Sequence, residues 1–127
     1  MTCAVIGDSI AVDLGLALPD CAMHARIGIG SAAIVGLVER ADLIVISAGS
    51  NDPDNPALAR NLEAIRARGP GRVLWVLPTH PRARAIVAEV AAAHGDATAG
   101  FAPARDNVHP RTVSPLVQAV HRLKGDS

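Results

Sequence analysis

Short apolar runs alternate along this chain with stretches in which apolar residues recur at helical spacing. The runs predict five strands, at residues 3–6, 22–27, 42–48, 72–77 and 97–101. The stretches between and after them predict helices, four of which lie at residues 10–18, 31–40, 81–94 and 115–123. The second strand has the weakest pattern, because His24 and Arg26 interrupt its apolar run.

One further helix, third in chain order, is indicated by the residues at its two ends. Asn55 is expected to cap it, Pro56 suits its first turn, and Gly69 suits the position after its last turn. Serines are expected to cap the second and fifth helices, at Ser31 and Ser114. The third helix shows apolar residues at i, i+4 and i+7, which predict one buried face: Leu58, Leu62 and Ile65.

Strands that alternate with helices at this spacing are typical of a parallel sheet covered by helices on both faces. We therefore expect one α/β domain over residues 1–127, a three-layer α/β/α sandwich. Its five-stranded parallel sheet should follow the flavodoxin-like order 2-1-3-4-5. Ligands bind such sheets outside the carboxyl ends of the strands, at the switch between strands one and three. The unusual polar and glycine-rich segments all fall on that edge: residues 7–9, 28–30, 49–52, 79–80 and 106–109.

The triplet Gly7-Asp8-Ser9 follows the first predicted strand and places a serine hydroxyl at this edge. The same three letters recur at residues 125–127 with no strand before them, so the triplet alone is weak evidence. A serine hydroxyl is a poor nucleophile at neutral pH and needs a base that takes its proton. His109 suits that role, and Asp106, three residues earlier, suits the group that orients the imidazole. The sequence thus predicts a catalytic triad of these three side chains.

A serine nucleophile also needs hydrogen-bond donors for the oxyanion of its tetrahedral intermediate. The N–H of Ser9 is one candidate, because it starts a predicted helix whose dipole favours negative charge. The N–H of Gly30 is a second, since a glycine lets the backbone come close to a ligand. The side-chain amide of Asn51, after the third predicted strand, is the third. We expect these donors to form an oxyanion hole.

Four of these segments resemble, in order, the motif blocks of the SGNH (GDSL-type) hydrolase family: residues 7–9, Gly30, residues 49–52 and residues 106–109. The resemblance implies a flavodoxin-like fold and a serine esterase that needs no metal or cofactor. It assigns the same roles to the same five residues. Gly28 competes with Gly30 within the second block, and we prefer Gly30 for its spacing before the following helix. The chain is short for this family, which favours an open cleft and small acyl groups, such as acetyl on a sugar.

Three further polar residues are candidate substrate contacts, each with a structural alternative. Asp8 is expected to contact substrate or to cap the first helix. Asp52 is expected to contact substrate or, more in keeping with its turn sequence, to hold its loop. His80 follows the fourth strand and either touches substrate, caps a helix or faces solvent.

Two other functions remain open on the sequence. A non-catalytic module of this fold would keep the pocket and bind carbohydrate without turnover. Residues 28–33 also match the G-x-G-x-x-A pattern of dinucleotide-binding loops, with Asp52 near the position of the acidic ribose ligand. Such a loop normally follows the first strand of its unit, whereas this one follows the second predicted strand. A nucleotide-binding domain is therefore the weaker alternative.

Composition limits the classes of molecule that this protein is expected to bind. The net charge is zero, and the chain has one Trp, one Phe and no Tyr, which argues against nucleic-acid binding. No apolar run approaches the roughly 18 residues of a membrane span, and no signal-peptide pattern is visible. We therefore expect a cytoplasmic location by default, with a small-molecule or carbohydrate ester as partner and no membrane partner. The sequence does not indicate an oligomeric state.

The two cysteines lie near the starts of the first two predicted strands, at Cys3 and Cys21. These strands are neighbours in the expected order, so a disulfide is geometrically feasible. Two buried free thiols are the favoured expectation. Neither the cysteines nor the five histidines show metal-ligand spacing, so we expect no metal site.

Overall fold

The structure, a computed structural model, describes residues 1–125. Within this range the strands are β1 (Cys3–Gly7), β2 (Ala22–Ala25), β3 (Leu43–Ser47), β4 (Arg72–Val76) and β5 (Ala97–Ala99). The α-helices are α1 (Ser9–Leu16), α2 (Ser31–Ile34), α3 (Leu58–Arg68), α4 (Pro81–His94) and α5 (Ser114–Lys124). A 3₁₀ turn at Val35–Leu37 follows α2. Asp126 and Ser127, which complete the second Gly-Asp-Ser triplet, lie outside the described residues.

The strands form one parallel sheet in the order β2-β1-β3-β4-β5, which confirms the predicted fold class and strand order. β1 runs beside β3 in a register that ends with Gly7 opposite Ser47. On its other side β1 pairs with β2, and Gly7 lies opposite Ala25. These three strands therefore leave the sheet at the same level, and the segments that follow them start side by side.

Alternate residues of the central strands face opposite sides of the sheet and pack against different helices. On one face, Ile6, Ile46 and Trp75 pack with α2, α3 and α4. On the other face, Val5 and Val45 pack with α1 and α5. Burial on both faces explains why the strands are continuous apolar runs in the sequence. The predicted inner face of α3 is fully buried: Leu58, Leu62 and Ile65.

All three of the expected N-caps, at Ser31, Asn55 and Ser114, are wrong. The N-cap of α2 is Gly30, because the hydroxyl of Ser31 donates to Asp52 and does not cap its own helix. The second helix is also much shorter than the predicted span of 31–40. The N-cap of α5 is Val113, so Ser114 is the first residue of that helix and does not cap it.

The start of α3 and the ends of the edge strands also differ from the predictions. Ala57 is the N-cap of α3, because Asn55 closes the turn before the helix by accepting the N–H of Ala57. β2 and β5 end two residues earlier than predicted, at Ala25 and Ala99. Both are edge strands with a single neighbour in the sheet, so they have fewer ladder hydrogen bonds to extend them.

A disulfide joins Cys3 to Cys21, which corrects the expectation of two free thiols. Their Cα atoms are 4.8 Å apart, within the range that disulfides require. The parallel pairing of β1 with β2 brings the two residues to this distance, since Ala4 lies opposite Ala22. The bond joins the start of the edge strand β2 to β1, and the loop after β2 carries Gly30.

The turn from β1 into α1 depends on a contact that only glycine allows. Gly7 has φ +141°, and a Cβ at this position would lie 1.9 Å from the carbonyl oxygen of Ser47. The N–H of Asp8 donates to that oxygen at 3.1 Å, and Oδ1 of Asp8 accepts a hydrogen bond from the Ser47 hydroxyl at 2.8 Å. The same Oδ1 accepts the N–H of Ile10 at 3.1 Å, so Asp8 is the N-cap of α1. Ser9 is thereby held as the first residue of the helix.

Asp8 is fully buried, and within residues 1–125 its Oδ2 has no hydrogen-bond partner. Burial raises the pKa of Asp8 from 3.8 to about 6, although the hydrogen bonds from Ser47 and Ile10 oppose this shift. The structure shows the alternative role of Asp8 as a helix cap. Its burial weighs against the expected contact with substrate, which stays a prediction.

We expect reduction of the Cys3–Cys21 bond to lower the free energy of unfolding by about 3 kcal/mol, since the bond restricts the unfolded chain. The bond closes a loop between residues 18 apart in the sequence. Urea unfolding with and without a reductant measures the difference. The control is Cys3→Ala/Cys21→Ala, which should lose similar stability and no longer respond to reductant. Detection of two free thiols in the unreduced, denatured protein would contradict the bond.

Because its pKa is higher in the folded than in the unfolded chain, Asp8 binds protons more tightly when folded. The part of the free energy of unfolding that depends on Asp8 therefore falls as the pH rises from 3.8 through about 6. We expect the free energy of unfolding of Asp8→Asn, relative to that of the wild type, to increase by about 1 to 3 kcal/mol between about pH 4 and about pH 8. Urea unfolding at both pH values measures this, with Asp13→Asn as the matched variant on the same helix. An identical difference at the two pH values would contradict the assignment.

Candidate active site

Ser9 and His109 are 100 residues apart in the sequence and meet at the carboxyl edge of the sheet. Ser9 starts α1 directly after β1, and His109 lies in the long loop between β5 and α5. The Oγ of Ser9 and the Nε2 of His109 are 2.8 Å apart, an ordinary hydrogen-bond distance. Both residues are half-buried, so a ligand can reach the hydroxyl and its neighbouring base.

The imidazole of His109 is oriented by Asp106. Its Nδ1 lies 2.5 Å from Asp106 Oδ2, while Oδ1 accepts the backbone N–H groups of Val108 and His109, each at 2.9 Å. The two backbone donors, and then the imidazole, lower the pKa of Asp106 from 3.8 to about 2. The ionised carboxylate accepts a hydrogen bond from Nδ1–H. This arrangement leaves Nε2 as the acceptor for the Ser9 hydroxyl.

The loop that carries this pair, residues 102–111, is called here the histidine loop. It is closed on itself, since the N–H of Ala104 donates to the carbonyl of His109 at 2.8 Å. Near its tip, Asn107 has φ +59°, a left-handed conformation that asparagine adopts more readily than most residues. The carbonyl of Asn107 accepts a hydrogen bond from the hydroxyl of Thr79, which follows β4. Thr79 thus holds the histidine loop from a neighbouring strand.

The two candidate backbone donors at this edge have unused hydrogens. Within residues 1–125, the N–H groups of Ser9 and Gly30 donate to no protein acceptor. The N–H of Ser9 heads α1, where the unpaired N–H groups carry positive partial charge. A Cβ built on Gly30 would have the carboxyl atoms of Asp52 as nearest neighbours, at 3.7–3.9 Å, so packing alone does not require glycine there.

Asn51 follows β3 and is exposed. Its Nδ2 donates to the carbonyl of Ile29 at 2.9 Å, in the loop after β2. A side-chain amide carries two hydrogens, so the second one remains for a ligand. Each of the three predicted oxyanion donors therefore keeps a hydrogen that no acceptor in the described part of the chain uses. Their action on an oxyanion stays a prediction.

A cavity of about 300 Å³ lies between the loop after β3, the loop after β4 and the histidine loop. It is lined by Ser50, Pro53, Thr79, His80, Pro81, Asp106, Asn107 and Val108. His80 both faces this cavity and caps α4, since its Nδ1 accepts the N–H of Arg82 at 3.2 Å. Substrate contact by His80 stays a prediction, now alongside an observed capping role.

The carboxylate of Asp52 is directed into the protein. The Ser31 N–H donates to its Oδ1 at 3.1 Å, and the Ser31 hydroxyl donates to its Oδ2 at 2.5 Å. These contacts favour the loop-holding alternative for Asp52 over contact with substrate. They also occupy the carboxylate that a dinucleotide site would need for the ribose, which weighs against that alternative.

The contacts that several polar side chains make around the site were not predicted from the sequence, namely those of Ser31, Ser47, Asn55, Asn61 and Thr79. They sit inside or just beyond predicted helices and strands, where a single polar residue is usually solvent-exposed. Ser31 and Ser47 are instead buried. No sequence signal marks them, because most of their contacts join segments that meet only after folding.

Among residues 1–125, no group of three or more His, Cys, Asp or Glu side chains is arranged to hold a metal ion. In the same part of the chain, no helix has the length and apolar character needed to cross a membrane.

Comparisons with known proteins bear on the fold. No protein-family model matches the chain, and no curated protein matches it. Among solved structures, it is similar to the C-terminal catalytic domain of Streptococcus pneumoniae peptidoglycan O-acetyltransferase A (OatA), solved with a methylsulfonyl adduct. The TM-score is 0.50 and the sequence identity 22%, over 72% of this chain and 60% of that one. The chain thus spans about three fifths of the domain that it matches, and the likeness supports the α/β fold with its parallel sheet.

Proposed function

We propose that this protein is a serine esterase that hydrolyses small acyl esters, such as acetyl groups on a carbohydrate. The observation that carries the proposal is the chain of contacts from Ser9 through His109 to Asp106, with distances of 2.8 and 2.5 Å. The contacts lie at the edge where sheets of this winding bind their ligands. The unused donors of Gly30 and Asn51 support the same reaction.

In the proposed first half-reaction, the Oγ of Ser9 attacks the acyl carbonyl carbon while Nε2 of His109 takes the hydroxyl proton. The carbonyl oxygen becomes an oxyanion, which accepts hydrogen bonds from the N–H groups of Ser9 and Gly30 and from the amide of Asn51. The imidazolium, stabilised by ionised Asp106, then protonates the leaving alcohol as its C–O bond breaks. The acyl group stays on Ser9.

In the proposed second half-reaction, His109 takes a proton from water, and the resulting hydroxide attacks the acyl-serine carbonyl. The acid leaves, and Ser9 regains its proton from the imidazolium. Transfer to a sugar hydroxyl in place of water uses the same groups and is the second candidate. It is favoured by the fold-level likeness to a domain named as an O-acetyltransferase.

The character of the neighbouring cavity supports a small, neutral substrate. Its volume is about 300 Å³, and among residues 1–125 neither Lys nor Arg lines it. Its lining mixes hydroxyl, imidazole and amide groups and the carboxylate of Asp106 with proline and valine. A lining with a carboxylate and no cation suits a polar, uncharged alcohol or a short acyl chain better than a phosphate or a long lipid. The proposal of small acyl groups therefore agrees with the short length of the chain.

The disulfide favours a different setting from the cytoplasmic default. Stable disulfides are typical of proteins in oxidising compartments and are rare in the reducing cytosol. We therefore propose that the protein acts outside the reducing cytoplasm. A stable Cys3–Cys21 bond in protein isolated from its native source would support this location.

We expect Ser9→Ala to lower turnover of p-nitrophenyl acetate by at least about 10³-fold, because the variant lacks the nucleophile. A fluorophosphonate probe should label the wild type, with the modification mapped to Ser9 by peptide mass spectrometry. Ser114→Ala, which removes an exposed serine at the start of α5, is the matched control and should keep both activities. A wild type with neither turnover nor labelling would favour the non-catalytic carbohydrate-binding alternative.

We expect kcat/KM to fall on acidification from about pH 8 to about pH 4, because a protonated imidazole no longer accepts the Ser9 proton. Asp106, with a pKa of about 2, stays ionised over this range and does not cause the loss. Asp8 titrates near pH 6, so Asp8→Asn is the control, and its profile should keep the acid limb. A wild-type rate that is constant down to about pH 4 would contradict a histidine base.

A further inference from the structure

The two loops that carry Gly30 and Asn51 are not held together by the sheet. Gly30 follows β2 and Asn51 follows β3, and β1 lies between these strands. No ladder hydrogen bond therefore sets the position of one loop against the other. Donors that act on one oxyanion must nevertheless be placed to within a fraction of an ångström.

Asp52 makes the connection that the sheet does not provide. Its two carboxylate oxygens accept the N–H and the hydroxyl of Ser31, at 3.1 and 2.5 Å. Ser31 is the residue directly after Gly30, and Asp52 is the residue directly after Asn51. In parallel, the amide of Asn51 donates to the carbonyl of Ile29, the residue directly before Gly30. The two candidate donors are thus joined through their immediate neighbours on both sides.

Two asparagines donate further hydrogen bonds to the contact between Asp52 and Ser31, which we call the joint between the two loops. Nδ2 of Asn55 donates to Asp52 Oδ2 at 3.0 Å, and Nδ2 of Asn61 donates to the Ser31 hydroxyl at 2.9 Å. Ser31 is fully buried, so its hydroxyl has little freedom to adopt another partner. The hydrogen bonds around the carboxylate come from neutral donors, which position it by geometry and not by pairing it with a cation.

We infer that Asp52 is a positioning residue that sets the distance between the two oxyanion donors, Gly30 N–H and the Asn51 amide, by holding Ser31. This inference rests on the proposed esterase function. It assigns Asp52 no contact with substrate. Loss of the carboxylate should leave substrate binding largely intact and lower the rate of the chemical step, since the donors would be misplaced when the oxyanion forms.

The first experiment compares kcat and KM for p-nitrophenyl acetate hydrolysis in Asp52→Ala, Asp52→Asn and Asp54→Ala. We expect Asp52→Ala to lower kcat by about 10- to 100-fold with KM changed by less than about threefold. Asp52→Asn keeps one acceptor oxygen and the side-chain shape, so its loss should be smaller. Asp54 is in the same loop with an 85% exposed side chain, and Asp54→Ala should behave as wild type. A wild-type kcat in Asp52→Ala would overturn the inference.

The second experiment tests whether Asp52 acts through Asn51. Asn51→Ala alone should lower kcat by about 10²–10³-fold if the amide binds the oxyanion. When one residue acts through another, the loss in the double variant Asn51→Ala/Asp52→Ala is smaller than the product of the two single losses. A loss equal to the full product would mean that Asp52 works independently of the donor, and would overturn the inference.

A third measurement does not depend on turnover and so separates this inference from the esterase proposal. In ¹H–¹⁵N spectra, the Gly30 amide and the Asn51 side-chain amide should shift in Asp52→Ala and Asp52→Asn but not in Asp54→Ala. Unchanged resonances in a folded Asp52→Asn variant would overturn the joint even if the enzyme is active. Shifted resonances in a protein without Ser9-dependent turnover would support the joint between the two loops and contradict the esterase proposal.

Discussion

The close approach of Gly7 to the carbonyl of Ser47 is the contact on which the candidate site depends. It brings the end of β1 against the end of β3 at a distance that no side chain would permit. Asp8 can then bond to both the backbone and the hydroxyl of Ser47 while it caps α1. The start of α1, and with it the hydroxyl of Ser9, is therefore set by two central strands and not by a loop.

Around this point, the other groups are held by hydrogen bonds between loops. The sheet aligns the loops at their roots, but β2, β3 and the segment after β5 are too far apart in the sheet to pair directly. Asp52 and Ser31 connect the first two, and Thr79 holds the histidine loop from β4. Side-chain contacts of this kind hold the loops in place without a long covering segment.

Two carboxylates near the serine have opposite electrostatic surroundings. Asp106 is exposed and receives two backbone N–H groups and an imidazole, which stabilise its charge and lower its pKa to about 2. Asp8 is buried, which disfavours its charge and raises its pKa to about 6, and among residues 1–125 one of its oxygens has no hydrogen-bond partner. Asp106 is thus suited to stabilise a protonated imidazole at His109. Asp8 serves as a structural cap whose ionisation weakens the fold.

The alternation of apolar runs with helical stretches determined the fold class, the strand order and the edge at which Ser9, His109 and Asp106 meet, because periodicity and chain connectivity are local properties. The ends of elements were less well determined, as α2 shows: the hydroxyl expected to cap it at Ser31 is taken by Asp52, 21 residues later. The register of β1 with β2 decided the pairing of Cys3 with Cys21, and the Gly7–Ser47 contact decided the burial of Asp8. These outcomes depend on distances between segments far apart in sequence, and such distances exist only once the sheet has assembled.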